Sequence, residues 1–338
     1  MATGASDGTH PPPFPAVRLH VVSGKGGTGK TTVAAALALA LASGRGRRVL
    51  LVEVEGRQGL AQLFDTPPLP YAERLIARAP GGGEVLALPV DPEEALLEYL
   101  EMFYNLRRAG KTLKRLGAVD FATTIAPGMR DVLLTGKAME STRRKKADGS
   151  PVYDAVVMDA PPTGRIARFL NVNSEVSSLA RVGPIKGQAE AVMALFRSPQ
   201  TAVHLVTILE EMPVQETADG VAELTAAELP VGAVIVNLVR DPLLPADALV
   251  AARAGKLDPT SLTSDLTAAG LEPDERLVGT LLAEATDHAD RVELEEEGRA
   301  RLAELGRPTV ELPLLPHAID LGALLHLAGL LREQGFGA

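Results

Sequence analysis

Residues 23–32 read Ser-Gly-Lys-Gly-Gly-Thr-Gly-Lys-Thr-Thr, and they constrain the fold of this chain more than any other segment. Two glycines followed by lysine and a hydroxyl residue have the spacing of a phosphate-binding loop. Residues 17–22 alternate like a β-strand, and residues 32–42 are rich in alanine and leucine, which predicts a helix. A strand, a glycine turn and a helix start aim bare backbone N–H groups and the positive helix end at a phosphate. The residues expected to bind nucleotide phosphate are Gly26, Gly27, Thr28, Gly29, Lys30, Thr31 and Thr32.

The remaining pattern predicts an α/β fold with a doubly wound, largely parallel sheet. Several apolar runs, such as 154–158 and 232–236, are nearly continuous, as in strands that helices cover on both faces. Helical patterns separate these runs, which favours ligand binding at the carboxyl ends of the strands. The predicted core strands are 17–22, 48–54, 84–89, 153–159, 202–209, 231–239 and 309–315.

The chain is expected to hold one such domain, over residues 17–338, behind a proline-rich disordered leader at residues 1–16. Helical additions to the core are predicted at about residues 92–150 and, in a less regular form, at 172–200. A third segment, residues 247–303, has a charged helical pattern typical of a solvated helix face.

Composition excludes several classes of function. The formal net charge of −9 argues against nucleic acid as the main partner. Cysteine is absent, which excludes a cysteine-held iron–sulfur cluster and a zinc clamp built from Cys-X-X-Cys motifs. No secretory signal is visible, so we expect a cytoplasmic protein, with peripheral membrane association left open.

Two acidic strand ends are expected beside the phosphate loop. Asp159 ends the apolar run Tyr-Asp-Ala-Val-Val-Met, the arrangement that holds magnesium in phosphate-loop proteins. Glu53 and Glu55 are two positions apart at the end of another strand, so their side chains point to the same side. A carboxylate at such an edge can accept a proton from water, and the alternative for Glu55 is a sheet-end carboxylate paired with Arg57 or a solvent cation.

The early lysine of the loop, Lys25, is not part of the general phosphate-loop pattern. The run Gly-Lys-Gly-Gly-Thr-Gly-Lys-Thr-Thr resembles the deviant loop of dimeric ATPases that act in cell division, plasmid partition, arsenical export and tail-anchored-protein targeting. The resemblance implies that Lys25 reaches the partner's nucleotide, that Lys30 contacts phosphate within its own chain, and that Thr31 is a Mg²⁺ ligand. It also implies ATP and Mg²⁺ as ligands.

Two further segments resemble the arsenical-pump and targeting branch of those ATPases. Residues 159–170 are similar to its switch II, Asp-Thr-Ala-Pro-Thr-Gly-His-Thr-Leu-Arg-Phe-Leu. This implies that Asp159 holds Mg²⁺ through water and that Gly164 offers its N–H near the γ-phosphate. The branch has Asp-Pro-Ala-His-Asn-Leu in switch I, and its aspartate falls on Glu55. Glu55 is therefore the candidate water-activating residue, and the replacement leaves the rate of hydrolysis open.

The same resemblance indicates which residues contact the adenine base of the nucleotide. The strand ending Val-Ile-Val-Asn matches one whose asparagine reads adenine, which implies this role for Asn237. Pro316 lies in a segment similar to the loop on the other side of the base. Met-Pro-Val-Gln-Glu-Thr at 212–217 also resembles this branch. Arsenite bound by thiols is excluded because the chain has no cysteine.

These observations favour a homo- or hetero-dimeric switch ATPase that couples nucleotide state to a hydrophobic client or a membrane partner. Candidate client-groove residues in the helical additions are Met102, Phe103, Tyr104, Phe121, Met129, Met193 and Phe196, which suit an ordinary helical core equally well. An energy-supplying subunit of an anion transporter is the first alternative, with a basic run at 107–115 as its docking surface. A slow nucleotide-binding subunit of a hetero-dimer is the second. A positioning ATPase at a membrane surface is disfavoured, because the apolar C-terminal pattern at 319–331 carries few basic residues and predicts a packed helix.

Overall fold

A computed structural model describes residues 17–56, 58–104, 128–179 and 184–337 of the chain. Its described strands are β1 (Leu19–Gly24), β2 (Arg48–Glu53), β3 (Arg74–Arg78), β4 (Glu84–Pro89), β5 (Ala155–Asp159), β6 (Thr201–Thr207), β7 (Val231–Val239) and β8 (Thr309–Pro313). Its described helices are α1 (Lys30–Ala42), α2 (Gly59–Leu63), α3 (Pro92–Tyr104), α4 (Met129–Arg143), α5 (Thr163–Leu179), α6 (Pro184–Phe196), α7 (Glu211–Ala226), α8 (Ala246–Arg253), α9 (Pro259–Ala268), α10 (Glu275–Ala303) and α11 (Leu321–Glu333).

The strands form one eight-stranded sheet in the order β3-β4-β2-β5-β1-β6-β7-β8. All neighbouring strands are parallel except β3, which runs antiparallel to β4 at the edge. The chain leaves β1 toward β2 on one side and leaves β5 toward β6 on the other, so the connections diverge between β1 and β5. Ligands of doubly wound sheets bind at such a divergence, outside the carboxyl ends of the strands.

The predicted α/β fold is confirmed, and all seven predicted strands are present with ends shifted by at most two residues. The edge strand β3 was missed. It is only five residues long, begins and ends with arginine, and leaves most of its side chains at least partly exposed. The segments predicted as helical additions contain α3, α4, α6 and the end of α5 within the described residues, and α8 to α10 occupy the charged third segment.

Two hydrophobic cores cover the two faces of the sheet. Every residue of α1 from Val33 to Ala42 is buried, which is the behaviour of a helix that is apolar all round. The C-terminal helix α11 packs its buried residues Leu324, Leu327 and Leu331 into the same core, so the predicted packed terminal helix is confirmed. On the other face, β-strand residues pack against α4 to α7.

Met193 and Phe196 belong to the protein interior, with exposed fractions of 7% and 0%. They are therefore core residues of α6 rather than lining of a client groove, and that part of the groove prediction is wrong. The other groove candidates and the basic run at 107–115 lie outside the residues whose side chains the structure describes. No helix in the described part of the chain is both long enough and apolar enough to cross a membrane.

A polar cluster fastens the first helical addition to the sheet domain. Lys137 on α4 has a side chain only 11% exposed and contacts Glu98 on α3 at 2.9 Å. Tyr71 donates its hydroxyl hydrogen to the same carboxylate at 2.6 Å. These bonds join α3, α4 and the chain before β3, so the base of the addition is held by partly buried polar contacts rather than by apolar packing alone.

A pair of buried histidines joins β1, β6 and β7. His204 Nδ1 accepts the N–H of Ala233 at 3.1 Å, at a point where the register between β6 and β7 is irregular. Because Nδ1 accepts, Nε2 of His204 carries the hydrogen, which faces His20 Nδ1 at 3.1 Å. Burial lowers the pKa of His20 to about 4 and also lowers that of His204, so both rings are neutral in the folded protein.

This pair predicts acid sensitivity. Both histidines have ordinary pKa values in the unfolded chain and lowered ones in the fold, so unfolding takes up protons below about pH 6.5. The stability that neutral His20 contributes is present at pH 7 and declines as the pH falls toward 4, by about 2 kcal/mol between pH 7 and pH 5. Urea unfolding at the two pH values should show a smaller loss for His20→Leu than for wild type. His326→Gln, which changes an exposed histidine of α11, should behave as wild type, and equal losses for all three proteins would refute this account.

Candidate functional site

The phosphate loop follows β1 directly and has a preformed backbone. Thr28 closes a turn, because its N–H and its hydroxyl both donate to the carbonyl of Lys25, at 3.3 and 2.9 Å. Gly24 admits no side chain, since a Cβ there would overlap the carbonyl oxygen of Val206 on β6. Gly29 has a φ of 84°, a left-handed conformation that glycine adopts at little cost. The loop is thus shaped by its own backbone.

The N-terminus of α1 lacks a side-chain cap. Gly29 occupies the cap position and supplies no acceptor for the first N–H groups of the helix. Uncapped N–H groups and the partial positive charge of a helix start form a ready anion site. Lys30, the first residue of α1, folds back so that its Nζ lies 3.5 Å from the carbonyl of Lys25. The predicted phosphate-binding residues are therefore gathered around one bare helix start.

Thr31 and Asp159 are in direct contact, as expected of two residues that serve one magnesium ion. The Thr31 hydroxyl donates to Asp159 Oδ2 at 2.7 Å. Burial raises the pKa of Asp159 to about 6, while the bond from Thr31 and the charge of Lys30 oppose this change. The charges of two nearby glutamates, Glu53 and Glu55, raise the pKa of Asp159 further. The edge therefore concentrates acidic groups around a hydroxyl, which suits a cation with oxygen ligands.

Glu53 is a site residue that sequence reasoning left without a role. It ends β2, pairs in register with Asp159 across the β2–β5 ladder, and is only 2% exposed. Its Oε1 accepts the N–H of Gly59, the first residue of α2, at 2.7 Å. The alternation of Glu53 and Glu55 on one strand was the available signal, but it did not say which carboxylate turns into the interior.

Glu55, the predicted water-activating residue, lies in the loop after β2 and is half-buried. It is close enough for its charge to raise the pKa values of Glu53 and Asp159. Its position near Glu53 and Asp159 agrees with a catalytic role, and that role stays a prediction. Arg57, its proposed alternative partner, lies outside the described residues.

Lys25 is engaged within its own chain. Its Nζ lies 2.8 Å from Glu216 on α7, and both side chains are about one-third exposed. Glu216 belongs to the segment 212–217 that the sequence had singled out. The lysine predicted to reach a partner's nucleotide therefore has an internal partner at the rim of the phosphate loop. Its role across a dimer stays a prediction.

Asn237 ends the buried part of β7 and touches the phosphate loop. Its Nδ2 donates to the carbonyl of Thr28 at 2.9 Å, and the side chain is 4% exposed. Pro316 lies in the exposed loop after β8, the strand next to β7. Both therefore lie at the edge where a base would extend from the phosphates. The adenine contact itself remains a prediction.

Switch II begins beside the phosphate loop. Ser23 at the end of β1 donates its hydroxyl hydrogen to the carbonyl of Pro161 at 2.6 Å. Gly164 lies exposed in the first turn of α5, where a Cβ would meet no atom within 4 Å. The preceding Thr163 packs its methyl group toward Gly220 of α7. The same helix α7 carries Glu216, so the turn at residues 160–164 contacts both the loop and the helix that holds Lys25.

The residues present fit Mg²⁺ and a nucleoside triphosphate. The bare start of α1 and the glycine turn suit phosphate oxygens, and Thr31 and Asp159 suit a hard cation. Within the described ranges, no group of three or more His, Cys, Asp or Glu side chains forms a self-sufficient metal site.

Comparison with known proteins also indicates an ATPase family. The model of the family described as anion-transporting ATPase matches residues 17–199, which include the phosphate loop, both glutamates and Asp159. ATPase BagA of Mycobacterium tuberculosis is 54% identical over 339 residues, which cover 99% of each chain. ATPase GET3 of Kluyveromyces lactis is 26% identical over 249 residues, covering 64% of this chain and 70% of that protein. ATPase get3 of Schizosaccharomyces japonicus is 27% identical over 255 residues, covering 65% and 74%.

Replacement by alanine should change the stability of the protein differently at two glycines of the phosphate loop. At Gly29 a Cβ would overlap Asn237 Nδ2, and the left-handed backbone costs a non-glycine residue roughly 1–2 kcal/mol. At Gly26 a Cβ meets nothing within 4 Å. We expect urea unfolding to show a loss of about 1–3 kcal/mol for Gly29→Ala and within about 0.5 kcal/mol of no change for Gly26→Ala. Equal stability of the two variants would contradict the described contact between the loop and β7.

Proposed function

Because the chain belongs to the anion-transporting ATPase family, we propose that it is a Mg²⁺-dependent ATPase that works as a dimeric switch. The observation that carries the proposal is the contact of Thr31 with Asp159 at the uncapped start of α1. The proposal covers residues 17–338 as one ATPase domain.

Each residue of the edge has a role in this proposal. The N–H groups of residues 26–32 and the Nζ of Lys30 bind the phosphates, because several fixed donors and one mobile point charge suit their oxygens. Thr31 would bind Mg²⁺ directly, and Asp159 would hold the ion through water. Bound there, Mg²⁺ would neutralise charge on the transferring phosphoryl group. Asn237 reads the base edge with its amide, and Pro316 packs against the base.

Hydrolysis requires a group that orients water in line with the terminal phosphate. Glu55 is proposed for this task, because its carboxylate can accept a proton from water and its charge acts on Asp159. Gly164 is proposed to offer its N–H near the terminal phosphate, since it lies exposed in the first turn of α5 and has no side chain. Water attacks phosphorus, the bond to the leaving ADP oxygen breaks, and the proton from water passes to Glu55.

The position of Lys25 supports the proposed dimer. Its ammonium group lies at the partly exposed rim of the loop, where it is paired with Glu216. An exposed ion pair of this kind contributes about 0–1 kcal/mol, so exchange for a triphosphate is favourable. In the proposed dimer, Lys25 leaves Glu216 and contacts the nucleotide of the partner. Helix α7 is then released from its ion pair with the loop and can change its contact with switch II.

In this proposal the helical additions couple the nucleotide state to a client. The cluster of Tyr71, Glu98 and Lys137 joins α3 and α4 to the sheet domain, so a movement at this domain is passed to the addition. A hydrophobic client or a membrane partner is the proposed reader of that movement. Arsenite held by thiols is excluded, because the chain has no cysteine.

A slower subunit of a hetero-dimer is the second candidate, and one observation favours it. Glu55 replaces the aspartate of the switch I pattern, and its side chain is one methylene longer. A longer acid in a loop positions water less rigidly, which lowers turnover without affecting nucleotide binding.

The two lysines of the loop should separate binding from switching. Lys30→Ala should abolish binding of a fluorescent, non-hydrolysable ATP analogue measured by anisotropy, because it removes the point charge proposed to bind the phosphates. Lys25→Ala should bind the analogue as wild type does. Light scattering should then show an ATP-induced increase in mass for wild type and none for Lys25→Ala. If Lys25→Ala loses binding to the same extent as Lys30→Ala, the trans role of Lys25 is wrong.

The catalytic role of Glu55 has its own test. Glu55→Gln keeps the size of the side chain and removes the proton acceptor, so steady-state ATP turnover should fall at least about tenfold. Affinity for the non-hydrolysable analogue should stay within about twofold of wild type. Glu333→Gln, an exposed change on α11, serves as the control and should leave turnover unchanged. Wild-type turnover by Glu55→Gln would show that another group activates the water.

A further inference from the structure

The Glu53 carboxylate is buried, but one of its two oxygens has no hydrogen-bond partner among the described residues. Its Oε1 accepts the N–H of Gly59, and the N–H of Leu60 also bonds to this carboxylate. Its Oε2 is buried and has no hydrogen-bond partner among the described residues. No Lys, Arg or His side chain in the described ranges forms an ion pair with Glu53. A buried carboxylate with one bare oxygen is costly, so its surroundings call for a donor or a cation.

The Glu53 side chain lies close to Thr31 and Asp159. Glu53 and Asp159 are register partners on adjacent parallel strands, so their side chains leave the same face of the sheet. A Cβ built on Gly59 would lie 3.4 Å from Glu53 Oε1, 3.3 Å from Thr31 Cγ2 and 4.0 Å from Thr31 Oγ1. Glu53, Thr31 and Asp159 therefore surround one small space that the absence of a side chain at Gly59 keeps open.

Electrostatics agree with this geometry. Burial raises the pKa of Glu53, the N–H groups of Gly59 and Leu60 oppose that change, and the charge of Glu55 adds to it. The charge of Glu53 also raises the pKa of Asp159. Two negatively charged carboxylates at the ends of neighbouring strands repel each other. A divalent cation close to both offsets that repulsion.

We propose that Glu53 is a positioning residue of the magnesium site, accepting hydrogen bonds from the water shell of the ion and linking it to the first turn of α2. The proposal rests on the proposed function and extends it. Mg²⁺ retains several waters that need acceptors, and Glu53 Oε2 is a buried acceptor without a donor. Its other oxygen holds Gly59, so the carboxylate joins the cation to switch I. Glu53 acts through the water and the backbone and does not react itself.

Glu53→Gln tests the negative charge of Glu53 separately from the size of its side chain. The glutamine keeps Oε1 as the acceptor for Gly59 and retains the side-chain length, but it removes the negative charge and the acceptor at Oε2. Anisotropy of the non-hydrolysable ATP analogue is measured in EDTA and over a MgCl₂ titration. We expect the Mg²⁺ concentration for half-maximal enhancement to rise about tenfold. In EDTA, Glu53→Gln should bind the analogue as tightly as wild type or more tightly, because one negative charge near the phosphates is gone.

Three comparisons make this result specific. Asp159→Asn should also lose magnesium enhancement, whereas Glu296→Gln, an exposed change on α10, should keep it. If Glu53→Gln does not fold, Glu53→Asp takes its place. It keeps the negative charge but shortens the side chain, so we expect an intermediate loss of magnesium enhancement. Amide exchange of Gly59 and Leu60 should slow on addition of Mg²⁺ with the analogue in wild type and should not do so in Glu53→Gln.

The outcomes separate the two proposals. Wild-type magnesium enhancement in folded Glu53→Gln overturns the role of Glu53 and leaves the proposed ATPase intact. Equal weakening in EDTA and in Mg²⁺ also overturns it, because that result shows a structural role of the carboxylate alone. Absence of analogue binding by wild type, with no difference from Lys30→Ala, overturns the proposed function as well.

Discussion

The burial of α1 is the constraint on which the rest of the structure depends. Ten consecutive residues of this helix are enclosed between the sheet and α11, so its axis and its N-terminus are fixed by apolar packing from every side. The helix start receives no side-chain cap, and the glycine turn before it brings no side chains into the space ahead. A buried helix therefore holds a bare positive end rigidly at the edge of the sheet, and preorganisation of this kind lowers the cost of binding an anion.

Segments at the ends of three strands, β5, β7 and β2, form hydrogen bonds close to this helix start. Pro161 after β5 accepts a hydrogen bond from Ser23, and Asn237 on β7 donates to the carbonyl of Thr28. Glu53 on β2 holds the first turn of α2 beside Thr31. These contacts are short and involve the buried side chains of Ser23, Asn237 and Glu53. In the proposed switch, coupling from the nucleotide to these segments therefore needs no long pathway through the protein.

The sequence was informative wherever the signal was local. The phosphate loop, the apolar strands and the acid at the end of β5 are contiguous patterns, and the structure contains each of them where it was predicted. Partnerships between distant segments were not predictable, such as Lys25 with Glu216. The spacing of Met193 and Phe196 is the same for a helix that faces the core and for one that lines a groove, and only the packing of α6 shows that they are buried. Glu53 was passed over because alternation along a strand does not reveal which carboxylate the following turn will bind.

Hydrogen–deuterium exchange with and without Mg²⁺ and a non-hydrolysable ATP analogue tests the central claim most directly. The account predicts slower exchange in three separated segments, namely residues 24–32, 59–63 and 163–170, because the phosphate site, switch I and switch II share hydrogen bonds at one edge of the sheet. Protection confined to residues 24–32 would mean that the nucleotide binds without operating a switch. No protection of that loop would contradict the nucleotide site itself.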